Sequence, residues 1–341
     1  MHSNDHSVLT QALAWREAGQ RCVLITVRQT YGASPRPPGA MAAISEQGQI
    51  VGSVSGGCVE DDLLEEVRAG AFWAPGAPAV ALREYGRDAA ERSRYRLPCG
   101  HSLKLAIETH WPTAPVAQAL AAMAAHRPVL RRLRYDTGTV TLSLAPDALA
   151  GHPALREDAE GLTVVWGPRL RLLLIGASEV ARYLAPIAQA LGYAVTVCDP
   201  REEYRLSWPS SDVELTVGMP DDVVQAFACD ARTAVVTVSH DPKLDDLALM
   251  EALRTPAFYV GALGSQANSR LRRDRLRLFD LSEPQLDRLH APVGLAIGSR
   301  TPAEIAVSIA AELVAAQRAQ EQADLVGRAA QAQPAPLACH V

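Results

Sequence analysis

RLRLLLIGASEVARYLAPIAQALGYAVTVCDPR, residues 169–201, reads as strand, Gly turn, helix, Gly, strand and acid. Leu172 to Ile175 is an apolar strand. Gly176 then makes a tight turn, and Ala181 is small enough for the helix to sit close to the sheet. Ser178 stands where a second Gly would let the backbone approach a pyrophosphate. Asp199 closes the next strand, where an acid commonly binds a ribose hydroxyl, and Arg201 is placed to meet a phosphate instead. Further strands are expected at Ala234–Ser239 and Phe258–Ala262, with helices between. Alternating strands and helices imply a parallel sheet with right-handed crossovers. This gives a Rossmann-like domain over 168–318, either binding a dinucleotide or keeping the fold without that ligand. A helix is expected from Pro302 to about Ala316, followed by a flexible Ala/Gln-rich tail over 319–341.

Ahead of it, residues 1–110 read as a small N-terminal α/β domain, so the fold class is α/β in two parts. Ser7 to Ala18 has helical spacing. Cys22 to Val27 is an apolar, β-branched run and reads as a buried strand. Met41–Ile44 and Ile50–Val54 flank a hairpin turn. VEDDLLEEVRAG is a helix with acids in its first turn and a Gly stop. Val80–Tyr85 and Leu103–Glu108 are further strands. Residues 111–167 read as a connecting segment, with a helix at Ala114–Ala125 and strand-like runs at 129–135, 139–145 and 162–166.

A chain of 341 residues suits two domains. A net charge of −5 gives no reason to expect nucleic acid as a partner. No apolar run is long enough to span a bilayer, and the amphipathic, acid-containing start does not read as a signal peptide. The expected location is the cytoplasm. Cys22, Cys58, Cys99, Cys198, Cys229 and Cys339 follow no regular spacing, so thiols are expected rather than a disulfide framework or a zinc knuckle.

Six segments carry candidate chemistry. In Gly52-Ser-Val-Ser-Gly-Gly-Cys58, Ser55, Gly56 and Gly57 lead into a helix start, where amides favour anions and lower a thiol pKa. Glu60, Asp61 and Asp62 oppose that shift, and a tight turn with a buried Cys is the plain alternative. Pro98-Cys99-Gly100-His101 offers a second thiol, which would pair with Cys58 at one site if the segments meet. SHDPK (239–243) and GALGS (261–265) each follow a strand, at the edge where open parallel sheets bind ligands. His240, Gly264 and Ser265 are the candidates there, while Asp241-Pro242 equally makes a helix cap. Arg270, Arg272, Arg273, Arg275 and Arg277 suit either a phosphate or a solvated helix face. Finally, Gly-rich 292–300 precedes Thr301-Pro302-Ala303-Glu304, a capping box. No general acid–base pair or hydrolase triad emerges, so no catalytic residue is assigned.

GSVSGGCVE (52–60), PCG (98–100), the strand-turn-helix from Leu172, SHDPKLDD (239–246), YVGALGS (259–265) and PVGLAIGSRTPAEIAVSI (292–309) together resemble the XdhC/CoxI family. These are accessory proteins of xanthine dehydrogenase and related molybdenum hydroxylases. The resemblance implies a cytoplasmic, non-catalytic chaperone, with a homodimer as the expected assembly. It would bind the molybdenum cofactor, as molybdopterin or its cytosine dinucleotide form. It would protect the cofactor while a cysteine desulfurase supplies sulfur, then insert it into the apo-hydroxylase. Carried over by position, Cys58 and Cys99 are the molybdenum-site candidates, shaped by Gly56 and Gly57. The loops at Gly176 and Gly264 would serve the pterin phosphate. Two positions depart from the family's habit, Ser178 in the nucleotide turn and His101 after the second Cys. Two other functions compete: an NAD(P)-dependent oxidoreductase resting on the Rossmann half, and a docking scaffold that holds no cofactor.

Overall fold

Cys22–Tyr31 (β1) is buried over its first six residues because both of its faces are covered. In the computed structural model, which describes residues 4–31, 36–57, 59–94, 102–125, 127–144, 155–167, 170–209 and 213–331, β1 is the centre of an antiparallel sheet. Helix α1 (Asn4–Glu17) precedes it. Around it lie β2 (Met41–Ser45), β3 (Ile50–Gly52), β4 (Val80–Tyr85) and β5 (Ser102–Glu108), in the order β3-β2-β1-β5-β4. Alternation sends Val23, Ile25 and Val27 to one face, against Leu63 and Val67 of α2 (Glu60–Arg68). Cys22 and Leu24 face the other way, against Val8, Leu9 and Ala12 of α1. A continuous apolar run is what a strand buried on both faces requires. A short helix α3 (Ala89–Arg94) lies between β4 and β5.

Residues 111–167 are more than a connection. Helix α4 (Thr113–Ala124) is followed by β6 (Val129–Arg134), β7 (Val140–Leu144), β8 (Leu155–Glu157) and β9 (Gly161–Trp166), an antiparallel sheet in the order β7-β6-β9-β8. Leu133, Leu162, Val164 and Trp166 share one apolar cluster with α1, α4 and Leu24. The chain accordingly divides into one unit spanning 2–147 with 153–168, and a second built on 169–341.

The second unit is the Rossmann half. Its elements are β10 (Leu170–Ile175), α5 (Glu179–Ala190), β11 (Tyr193–Cys198), α6 (Glu202–Leu206), β12 (Glu214–Thr216), α7 (Pro220–Phe227), β13 (Thr233–Thr237), α8 (Pro242–Ala252), β14 (Tyr259–Ala262), α9 (Gln266–Arg277), α10 (Glu283–Asp287), β15 (Leu289–His290) and α11 (Pro302–Gln331). Every strand pair is parallel, in the order β12-β11-β10-β13-β14-β15. Leu172 and Leu174 pack under α5 and α11, beside Leu184 and Ile309. Leu173 and Ile175 face the opposite side, beside Val224, Leu249 and Leu276. Helix α11 continues well past Ala316, where the sequence reading ended it, through residues of high helix propensity. No helix among the described residues is long and apolar enough to cross a membrane.

Candidate functional site

The first candidate loop is organised by one carboxylate. Glu60, the first residue of α2, is buried, and six donors converge on it. Ser53 Oγ donates to Oε1 at 2.7 Å, and the Val54 and Ser55 amides at 2.9 and 3.0 Å. The Gly57 and Val59 amides donate to Oε2 at 3.0 and 3.3 Å, together with Ser55 Oγ. Burial pushes the Glu60 carboxyl up, but the hydroxyl and amide donors outweigh it and bring the pKa down to about 2. Gly56 and Gly57 take φ of +83° and +111°, which a side chain would oppose. The amides that were expected to attract an external anion are therefore occupied by the protein's own anion. What remains is a pinned turn that holds exposed Gly56 and Gly57 immediately before position 58. Cys58 itself lies outside the described residues, as do Cys99, Gly100, His101 and Cys339.

The second set of loops lies at the carboxyl edge of the parallel sheet, in the second unit. Backbone bonds stitch them in a row. Gly176 N donates to Cys198 O, Val238 N to Ile175 O, Leu263 N to Thr237 O and Val293 N to Ala262 O, at 2.8 to 3.0 Å. Strand order reverses across β10, with β11 on one side and β13 on the other, so Gly176 and Ser239-His240 flank the switch point. Gly176 has φ +106°, and a Cβ there would stand 2.4 Å from Ser239 Cα. Gly176→Ala should thus destabilise the protein by about 3 kcal/mol, from a left-handed Cβ plus overpacking against backbone. A urea midpoint equal to wild type would refute that close approach.

The other residues expected along this edge have definite local tasks. Ser178 Oγ accepts from Ala181 N at 3.3 Å and caps α5. Ser265 Oγ accepts from Asn268 N at 3.2 Å and caps α9, beside half-buried Gly264. Asp199, read as a ribose ligand, is fully buried and already engaged. It accepts from Ala177 N at 2.8 Å and is gripped by Arg201 through Nε at 2.9 Å and Nη2 at 2.8 Å. Burial pushes its carboxyl up, but these bonds outweigh burial and hold it below the usual range. Arg201 in turn stacks on Tyr204, 3.7 Å from the ring centroid. His240 is exposed, with its backbone in the left-handed region at φ +62°. Asp241 caps α8 through Lys243 N at 2.9 Å.

Sequence reasoning missed the partners of Arg272 and Ser239 at this edge, and missed Glu312 altogether. Arg272 is buried and bonds Asp245 at 3.0 Å, Asp246 at 3.1 Å and Leu263 O at 2.9 Å, joining α9 to α8 and to the β14 loop. Ser239 Oγ donates to the same Asp245 at 2.7 Å. The arginine run is thus largely an internal fastening, with Arg273 held on Leu286 O and Leu289 O as well. Glu312 accepts from Tyr259 Oη at 2.6 Å, pairs with His290 Nδ1 at 2.9 Å and takes the Gly294 amide at 2.5 Å. The Gly-rich loop before α11 therefore spends the Gly294 amide internally, and the Arg300 and Thr301 amides go to Glu304. The capping box is present, since Glu304 N also donates to Thr301 Oγ1 at 3.3 Å.

Cys22, Cys198 and Cys229 are buried free thiols. Burial pushes the first two up to about 12 and the third to about 11, so all three are protonated and inert at neutral pH.

Comparison with known proteins follows this division of the chain. The XdhC and CoxI family matches residues 15–86, which contain the Glu60 loop, and the XdhC Rossmann domain matches residues 172–313, which contain the carboxyl-edge loops. The chain belongs to the XdhC and CoxI family. The molybdenum cofactor insertion chaperone PaoD of Escherichia coli is 28% identical over 330 residues, covering 94% of this chain and 91% of that protein. A Bacillus subtilis protein named as a probable subunit of xanthine dehydrogenase is 26% identical over 354 residues, covering 91% and 97%. A crystal structure from Bacillus halodurans, described as a xanthine dehydrogenase, aligns with TM-score 0.75 at 25% identity, covering 95% of this chain and 98% of that one. In this XdhC/CoxI chain the two matched regions hold the engaged carboxylates described above, Glu60 in the first and Asp199, Asp245 and Glu312 in the second.

Proposed function

We propose that this protein carries the molybdenum cofactor as cargo and inserts it into an apo-hydroxylase of the xanthine dehydrogenase type. The observation that carries this reading is the likeness to a molybdenum cofactor insertion chaperone along nearly the whole of both chains. The local chemistry supports it. The cofactor joins a soft dithiolene–metal centre to an anionic phosphate. A thiolate suits the metal, and Cys58 follows a Gly-Gly turn pinned on Glu60. The N-termini of α5, α8 and α9 open onto the carboxyl edge, and their dipoles favour the phosphate. In this reading Cys58 and Cys99 hold the metal end. Ser55, Gly56 and Gly57 shape that turn. Gly176, Ser178, His240, Gly264 and Ser265 are the second unit's own candidates for an anionic group of the cofactor, and Asp199 braces the Gly176 turn through Ala177. The carrier works in the cytoplasm as a homodimer, and a cysteine desulfurase supplies the cofactor's sulfur before transfer. The oxidoreductase reading is the weaker one, because its ribose-binding acid is already bonded to Ala177 and Arg201.

Cys58→Ala tests the metal end. Purified without air from a host that makes the cofactor, the variant should lose most of its bound pterin while keeping the wild-type melting temperature. Unchanged pterin content in the folded variant would remove Cys58 from the site. Undiminished complex formation with the hydroxylase, and no pterin in either protein, would favour a docking scaffold.

A further inference from the structure

Starting at the end of the 239–243 loop, the second unit has a groove of about 460 Å³ between α8 and α9. Its lining is graded along α8. Lys243 stands at the N-terminal end, Asp246 and Leu247 lie one turn on, and Met250 lies another turn on. The facing wall is Arg275 of α9, beside Asp246, and Phe279 in the turn just after α9 ends at Arg277. The span from Pro242 to Met250 is about 12 Å at the helical rise.

Charge is graded in the same direction. Both oxygens of Asp246 are taken, Oδ1 by Arg272 Nε at 3.1 Å and Oδ2 by Arg275 Nε at 2.6 Å. Asp245 is paired with Arg272. Those two acids and two arginines cancel, and Asp241, which takes the Lys243 amide at 2.9 Å, offsets Lys243 in net charge, so what the groove presents at this end is the exposed Lys243 side chain as a local cation. Lys243 is exposed and has no ion-pair partner among the described residues. Its position at the start of α8 adds the positive end of the helix dipole. At the other end the floor is apolar, and Phe279 remains 47% exposed. An exposed aromatic over an apolar floor with a cation at one end is the usual composition of a small-molecule site.

We propose that this groove binds an apolar carboxylate, with its acid group at Lys243 and Arg275 and its hydrocarbon body on Leu247, Met250 and Phe279. The proposal does not rest on the cofactor reading, but the groove starts at Pro242 and Lys243, the same α8 N-terminus that reading turns toward a phosphate.

Decanoate is the probe, and the five methionines make the readout simple. The full-length protein carries ¹³C-methyl methionine, with the Met250 signal assigned through Met250→Leu. Decanoate should shift the Met250 methyl saturably and leave Met41 and Met123, both buried in the first unit, unmoved. Lys243→Glu should weaken binding at least about tenfold at an unchanged melting temperature. Decanol, which has the body without the charge, should bind comparably weakly to both proteins. Four results would overturn the proposal. These are no saturable shift, equal affinity in Lys243→Glu, equal affinity for decanol and decanoate, or a Met250 shift driven by protein concentration alone, which would mark the groove as a contact between copies.

Discussion

Glu60→Gln is expected to cost the first unit about 2 kcal/mol, after allowing for solvent screening of a loop at the surface. The amide keeps one acceptor oxygen but turns an NH₂ toward donors already aimed at it, so some of the Val54, Ser55, Gly57 and Val59 amides lose their partner. The pH dependence follows from the same carboxylate. Its folded pKa, about 2, lies below the ordinary 4.5. Its contribution is complete above about pH 4.5 and is lost as the pH falls toward 2. Wild type should therefore lose stability between pH 5 and pH 2.5 more steeply than Glu60→Gln, whose side chain does not titrate. Chemical denaturation at several pH values decides this. Parallel pH curves for the two proteins would mean that Glu60 is not the acceptor. The variant should also retain less pterin, because the turn that presents position 58 is no longer pinned.

The largest stability effect is expected in the core of the same unit. Arg131 of β6 and Glu108 of β5 are both buried and joined through Nη2 and Oε2. The guanidinium lies 4.6 Å from the Trp166 ring centroid. Arg131 Nε and Nη1 and Glu108 Oε1 find no partner among the described residues. Such a pair contributes little over an apolar replacement, yet breaking it strands a charge. Arg131→Met should thus destabilise by about 4 kcal/mol, while Arg131→Met with Glu108→Leu should recover most of that loss. Urea midpoints of the two single variants and the double variant complete the cycle. Additive losses would contradict the pairing.

The sequence was most legible where periodicity and local chemistry agree. The strand at Leu172, the turn at Gly176, the helix after it and the acid at Asp199 all follow from contacts within about thirty residues. Val80–Tyr85 and the hairpin around Glu46–Gln49 were equally local. Three strands of the four-stranded sheet of residues 129–166 were seen as separate runs, and the short Leu155–Glu157 was not seen. The sheet's membership of the first unit rests on Leu133, Leu162 and Trp166 meeting α1, more than a hundred residues away, and no spacing rule conveys that. The candidate site was legible by place and not by partner. Glu60 was visible as a first-turn acid, but its convergence with Ser53, Ser55 and Gly57 appears only once the loop folds back on it. A Ser-rich, Gly-rich run followed by a Glu at the helix start is the signal that could have suggested it. Arg272 looked like one of five surface arginines because Asp245 and Asp246 lie 26 or 27 residues earlier, on another helix.

The most direct test of the central claim is the pterin and molybdenum content of the wild-type protein, purified without air from a host that makes the cofactor. The pterin would be oxidised to its fluorescent form and counted beside molybdenum by mass spectrometry. A carrier should show a near-stoichiometric amount of both. A protein free of pterin that instead binds NAD(H) would contradict the account and return the Rossmann half to dinucleotide chemistry.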